Sequence, residues 1–142
     1  MRLAPAFLAT IFLAATAALA TVSDARAETP ADFLRTYESA ARRDNPGFAG
    51  FSPQRGENFF KTTHGREWSC ASCHTQNPTA TGKHAKTDKP IAPLAPAANA
   101  ERFTRADKVE KWFRRNCNDV VGRECTPAEK GDVLTYLKSL GK

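Results

Sequence analysis

Cys70-Ala71-Ser72-Cys73-His74 is the stretch on which the reading of this chain turns. Two thiols three positions apart lie on one side of a helical turn. There they meet the two vinyl groups of a haem as thioethers, and the next residue presents its imidazole to the iron. Paired cysteines serve two other chemistries. Half of a zinc site needs a second ligand pair at similar spacing, and a thioredoxin-type redox pair needs a βαβ pattern beside it. Neither context is present in the 142 residues. The motif therefore reads as the attachment site of one covalent haem c, with His74 as the proximal ligand.

Around the motif, from His64 to about Asn99, no period of 3.6 or 2 persists, and Pro78, Gly82, Pro90, Pro93 and Pro96 interrupt backbone pairing. So long a stretch without elements of its own is uncommon in a small domain, and it makes sense if it wraps a group that is not protein. Further out, helical signals return. Thr29-Pro30-Ala31-Asp32 opens a first helix, with Phe33, Leu34, Tyr37 and Ala41 at helical spacing up to the breaker Asp44-Asn45-Pro46-Gly47. Ser52-Pro53 opens a second, ending near Thr62, with Gly56 and Phe60 on one side. Thr104-Arg105-Ala106-Asp107 opens a third, carrying Val109, Trp112, Phe113 and Asn116 on roughly one face. The capping box Thr126-Pro127-Ala128-Glu129 opens a fourth, with Val133, Leu134, Leu137 and Leu140 inward and Gly141 closing it. No strand alternation or internal repeat interrupts this pattern, so the expected fold is all-α, about four helices around one haem. The apolar inventory is thin for the length, which a large buried cofactor offsets.

The N-terminus is of a different kind. Met1-Arg2 precedes an Ala-rich apolar run from Leu3 to Ala20, and Ala25-Arg26-Ala27 is a small-x-small site. This predicts a signal peptide over residues 1–27, cleaved after Ala27, and a mature domain over 28–142 in the periplasm. Pro5 and the cleavage site argue against an uncleaved anchor. With 25% charged and 41% hydrophobic residues the chain is neither disordered, collagen-like nor polytopic. Its net charge of +6, with Lys83, Lys86, Lys89, Lys108 and Lys111, favours encounter with an acidic redox partner. Nucleic acid is excluded as a partner by export and by the lack of any aromatic-basic interleaving.

A second axial ligand is harder to assign. The only methionine is Met1, inside the leader, so His/Met ligation is not open to the mature chain. His64 and His84 lie ten residues either side of His74, and His84 is the better candidate for a bis-His site because it follows the attachment turn. Cys117 and Cys125 frame a short segment between the third and fourth helices. In an oxidising compartment they pair, contributing roughly 2 to 3 kcal/mol by the chain-entropy model. Thiolate ligation of iron is the alternative, open only to a reduced pair.

Several strings then resemble one family, the oxygen-binding cytochromes c of the SHP (sphaeroides haem protein) type. They are Ile91-Ala-Pro-Leu-Ala-Pro96, Arg102-Phe103-Thr104, Val109-Glu110-Lys111-Trp112, Arg115-Asn116-Cys117-Asn118, Gly122-Arg123 and Cys125-Thr126-Pro127. The resemblance implies a class I-like cytochrome c fold with His74 and Asn116 as metal ligands and a Cys117–Cys125 disulfide bracing the loop beside them. It also implies that Asn116 leaves on reduction so that O2, CO or NO can bind, and that electrons arrive from a dihaem cytochrome c tied to a membrane cytochrome b. Residues 64–69 depart from the family pattern, which bears on the pocket entrance. An amide oxygen is a hard, weak donor that suits ferric better than ferrous iron, so reduction alone can release it.

Trp112, one turn before Asn116, is placed on the same side of the haem or simply in the core. Arg114 and Arg115 are candidates to polarise a bound diatomic or to pair with haem propionates, and are otherwise solvated. Three functions remain: a gas-binding haem protein that exchanges electrons with another cytochrome, a plain bis-His (His74/His84) electron carrier, and a small reductase or peroxidase using the open site. No catalytic acid-base set stands out to favour the third.

Overall fold

The structure, a computed structural model, describes residues 26–141. Among these, five helices follow in order: α1 (Pro30–Asp44), α2 (Pro53–Lys61), α3 (Cys70–His74), α4 (Ala106–Val121) and α5 (Pro127–Ser139). Two two-residue strands, β1 (Gly82–Lys83) and β2 (Pro90–Ile91), lie between α3 and α4. The leader expected over residues 1–27 lies outside the described residues apart from Arg26 and Ala27. No helix among the described residues is long and apolar enough to cross a membrane.

Three helices start where a hydroxyl residue precedes a proline. Thr29 Oγ1 accepts from Asp32 N at 3.3 Å and Asp32 Oδ2 accepts from Thr29 N at 2.7 Å. Ser52 Oγ accepts from Arg55 N at 3.2 Å, and Thr126 and Glu129 exchange the same reciprocal pair as α1. Each cap satisfies backbone N–H groups that the helix cannot, an effect of about 1 kcal/mol.

α4 starts within the expected string Thr104–Asp107 but without a side-chain cap. Its N-cap is Arg105, whose side chain makes no cap bond, because Thr104 Oγ1 donates instead to Glu101 O at 2.8 Å within a turn that holds Phe103 at φ 58°. The attachment turn forms a helix of its own, α3, making five helices rather than four. β1 and β2 form an antiparallel ribbon with Gly82 opposite Ile91 and Lys83 opposite Pro90, too short to leave an alternating signal.

α5 is the central helix: Gly131 to Leu134, Tyr136 and Leu137 are buried, and α1 and α2 both pack on it. Phe33, Tyr37, Phe60, Leu134 and Leu137 form the heart of the core. The α2–α5 crossing is close because Gly56 has no side chain; a Cβ there would lie 2.0 Å from Asp132 O. Asp132, 7% exposed, locks the same crossing by accepting from Ser52 N at 2.7 Å and from Arg55 Nε and Nη2 at 2.7 and 2.8 Å. Gly56→Ala is therefore expected to cost about 1–3 kcal/mol by overpacking against backbone. Thermal denaturation of the holoprotein checks it; an unchanged midpoint would mean that the two helices separate freely.

α4 is held differently, by tethers rather than by a broadly packed face. The Tyr37 hydroxyl donates to Glu110 Oε1 and Lys130 Nζ donates to Glu110 Oε2, both at 2.6 Å, while the Tyr37 and Phe113 rings meet edge-on at 6.0 Å. Beyond its C-cap Gly122, at φ 79°, Cys125 is disulfide-bonded back to Cys117. This mounting leaves a space between α4 and the irregular segment before it.

Candidate haem site

That space is a cavity of about 760 Å³. α3 supplies Cys70, Cys73 and His74 to its lining and α4 supplies Trp112 and Asn116, while Ile91, Leu94, Val109, Val133 and Leu137 give it apolar walls. The irregular segment thus does wrap a cavity rather than a protein core. Gly82 lets β1 pass directly against the attachment turn, since a Cβ there would sit 2.2 Å from Cys73 O. Ala85 N donates to Cys73 Sγ at 3.3 Å, and Ser69 N, at the start of α3, donates to Ser72 Oγ at 3.0 Å.

Burial, aided by the Arg102 charge, pushes the His74 imidazole down to about 4. The ring is therefore neutral near pH 7 and keeps a lone pair for a metal. Phe60 backs it, ring centroids 6.4 Å apart. Burial pushes the free Cys70 thiol up to about 12, so it is protonated near pH 7.

The other residues singled out above separate clearly. His84 lines the cavity at its exposed side, and its Nδ1 accepts from Lys86 N at 3.3 Å. His64 stacks on Phe59 at 4.3 Å and its Nε2–H donates to Phe59 O at 2.8 Å, a local bond at the end of α2. Arg115 lies over the Trp112 ring at 5.1 Å on the cavity rim, whereas Arg114 is exposed. Two lining residues escaped sequence reasoning as site residues. Trp68 carries the Lys86 ammonium over its ring at 4.6 Å, and half-buried Arg102 donates to Pro93 O at 2.8 Å and Ala92 O at 2.7 Å. Trp68 was visible only as part of the 64–69 segment that departs from the family pattern, and Arg102 only as part of a family string.

Two thiols and a neutral imidazole facing an apolar-walled cavity of this size fit a haem joined by thioethers. Among the described residues no group of three or more His, Cys, Asp and Glu side chains is placed to hold a metal ion without such a macrocycle. Fold and site define a c-type cytochrome with a single covalently bound haem c.

Comparison with known proteins gives the family. A model for a domain of unknown function, DUF1924, matches residues 46–137, and the chain belongs to that family. It is 42% identical over 132 residues to the cytochrome c-type protein SHP of Cereibacter sphaeroides, covering 90% of this chain and 97% of the relative. Cytochrome c'' of Methylophilus methylotrophus is 46% identical over 105 residues, 71% of this chain and 73% of the relative. The structure of oxidised SHP, described as an oxygen-binding cytochrome c, matches with a TM-score of 0.71 at 42% identity, covering 80% of this chain and 98% of that one. The solution structure of the same cytochrome c'', described as giving insight into haem-ligand detachment, matches with a TM-score of 0.72 at 38% identity, covering 80% and 94%.

Proposed function

We propose that this is an exported, periplasmic cytochrome, its leader removed after Ala27, that binds O2, CO or NO at a coordination position guarded by Asn116. In this reading Cys70 and Cys73 hold the haem, His74 is the permanent axial ligand, and Asn116 is the ligand given up on reduction. When bound, the haem supplies a one-electron ferric/ferrous couple and two axial positions. Neutral His74 donates to both oxidation states, while the Asn116 amide oxygen, a hard donor, favours the ferric one. Trp112, one turn away on α4, walls the place that Asn116 leaves.

The observation that carries the reading is that Asn116, on α4, lines the same cavity as Cys70, Cys73 and His74 on α3. Two relatives bear on it: oxidised SHP is described as oxygen-binding, and cytochrome c'' is described in terms of haem-ligand detachment. In the bis-His alternative the second ligand would be His84, which stands instead at the exposed side of the cavity with its Nδ1 accepting from Lys86 N at 3.3 Å. Electrons come, by family resemblance, from a dihaem cytochrome c linked to a membrane cytochrome b. Exposed Lys86, Lys89 and Lys108 on the cavity rim suit an acidic donor.

The reduced absorption spectrum tests the reading. A high-spin ferrous spectrum that changes at once on adding CO is expected, and it should be the same in a His84→Ala variant. A low-spin ferrous spectrum indifferent to CO, and altered by His84→Ala, would establish the bis-His carrier instead.

A further inference from the structure

Most cations on the cavity rim are exposed and can be solvated where they stand. Arg102 is not in that position. It is half-buried, its guanidinium is fixed by donation from Nε to Pro93 O and from Nη2 to Ala92 O, and among the described residues it has no carboxylate partner. Arg105, also on the cavity, contrasts with it: its Nη2 is 2.8 Å from Asp107 Oδ2. A partly buried charge held by two neutral carbonyls is destabilised relative to water unless an anion comes close. Arg102 is also one of the residues that line the cavity whose occupant, a haem c, carries two carboxylates.

We infer that Arg102 is the carboxylate-binding residue of the cavity, receiving a haem propionate and tying it to the Ala92–Pro93 backbone. The planar fork suits the task, since one edge bonds the carbonyls and the remaining N–H groups stay available to an anion. One consequence is electrostatic. A propionate neutralised by Arg102 exerts little pull on the iron, whereas an unneutralised one favours the ferric state. The inference rests on the covalent haem alone and is independent of Asn116.

Arg102→Gln, Arg102→Lys and Arg105→Gln holoproteins, compared by redox titration, test it. Arg102→Gln is expected to shift the reduction equilibrium about tenfold toward ferric, which is ~59 mV for one electron. Arg102→Lys keeps the charge but loses the fork, and is expected to recover at least half of that shift on the voltage scale. Arg105→Gln removes the same formal charge from the rim and is expected to change the equilibrium less than twofold, with even that vanishing at 1 M salt. An unshifted Arg102→Gln, or an Arg102→Lys as displaced as Arg102→Gln, would overturn the assignment and leave Arg102 a mere brace for the loop. Should Arg102→Gln yield no red protein, Arg102→Lys decides: maturation with an equilibrium within about twofold of the parent supports the carboxylate contact, and failure to mature refutes it.

Discussion

A chain with both Cys70 and Cys73 replaced by serine is expected to show no haem band on a denaturing gel and to lose its cooperative thermal transition. The first effect is covalent: a serine hydroxyl does not form the thioether, and haem held by coordination alone leaves when the protein is denatured. The second follows from the walls: without the haem, Ile91, Leu94, Val109, Val133 and Leu137 line a cavity of about 760 Å³ that opens to water. α4 is tied on by the Tyr37–Glu110–Lys130 tether, the Tyr37–Phe113 contact, Val109 in the core and the Cys117–Cys125 disulfide, which fix its place but do not cover the cavity walls. With a total stability of only about 5–15 kcal/mol available to a domain, the apolar walls would collapse on one another or unfold. Single Cys70→Ser or Cys73→Ser variants keep one thioether and are expected to stay red. A haem-stained band from the double variant would move the attachment to other side chains and remove the basis for placing His74 on the iron.

How much of this was legible in the sequence depended on how local the cause was. The attachment motif needs five consecutive residues, and α1, α2 and α5 begin at hydroxyl–proline pairs whose caps form within four residues, so all were readable as strings. α4 also begins within the string Thr104–Asp107, although Thr104 bonds the Glu101 carbonyl in a turn that holds Phe103 left-handed and so caps nothing. The ribbon at residues 82–91 was invisible for another reason: it has only two residue pairs, and Gly82 is required there because a Cβ would lie 2.2 Å from Cys73 O, a tertiary contact with no periodic trace.

The site shows the same division. Arg102 acquires its character from carbonyls nine and ten residues away, and Trp68 from a lysine eighteen residues on, so neither announced itself. Asn116 was an ordinary helical asparagine until the surrounding string resembled a family. Only the fold adds that α4 carries it to the cavity lined by α3. Of the three histidines, His74 was legible from the attachment motif, whereas His64 and His84 were alike in polar loops and separate only by partner: His64 on a helix-end carbonyl and His84 bonded through Nδ1.

Removing the Asn116 amide discriminates most sharply between a guarded and an open coordination position. If Asn116 binds the ferric state alone, Asn116→Ala deletes a competitor from one oxidation state and changes nothing in the other. The ferric protein's affinity for an added ligand such as imidazole is then expected to rise at least tenfold, about 1.4 kcal/mol, because no internal donor has to be displaced. Loss of a donor that favoured ferric iron also moves the reduction equilibrium toward ferrous by a similar factor, ~59 mV upward. The ferrous protein, from which the amide has already departed, is expected to bind CO at a rate within threefold of the parent. The direction of each change follows from where the amide sits in each state, and a steric role cannot mimic the set. If Asn116 merely filled space beside Trp112, its truncation would leave the potential alone and speed CO entry instead. Ferric spectra, a redox titration and CO mixing on one variant therefore separate a ligand from a wall.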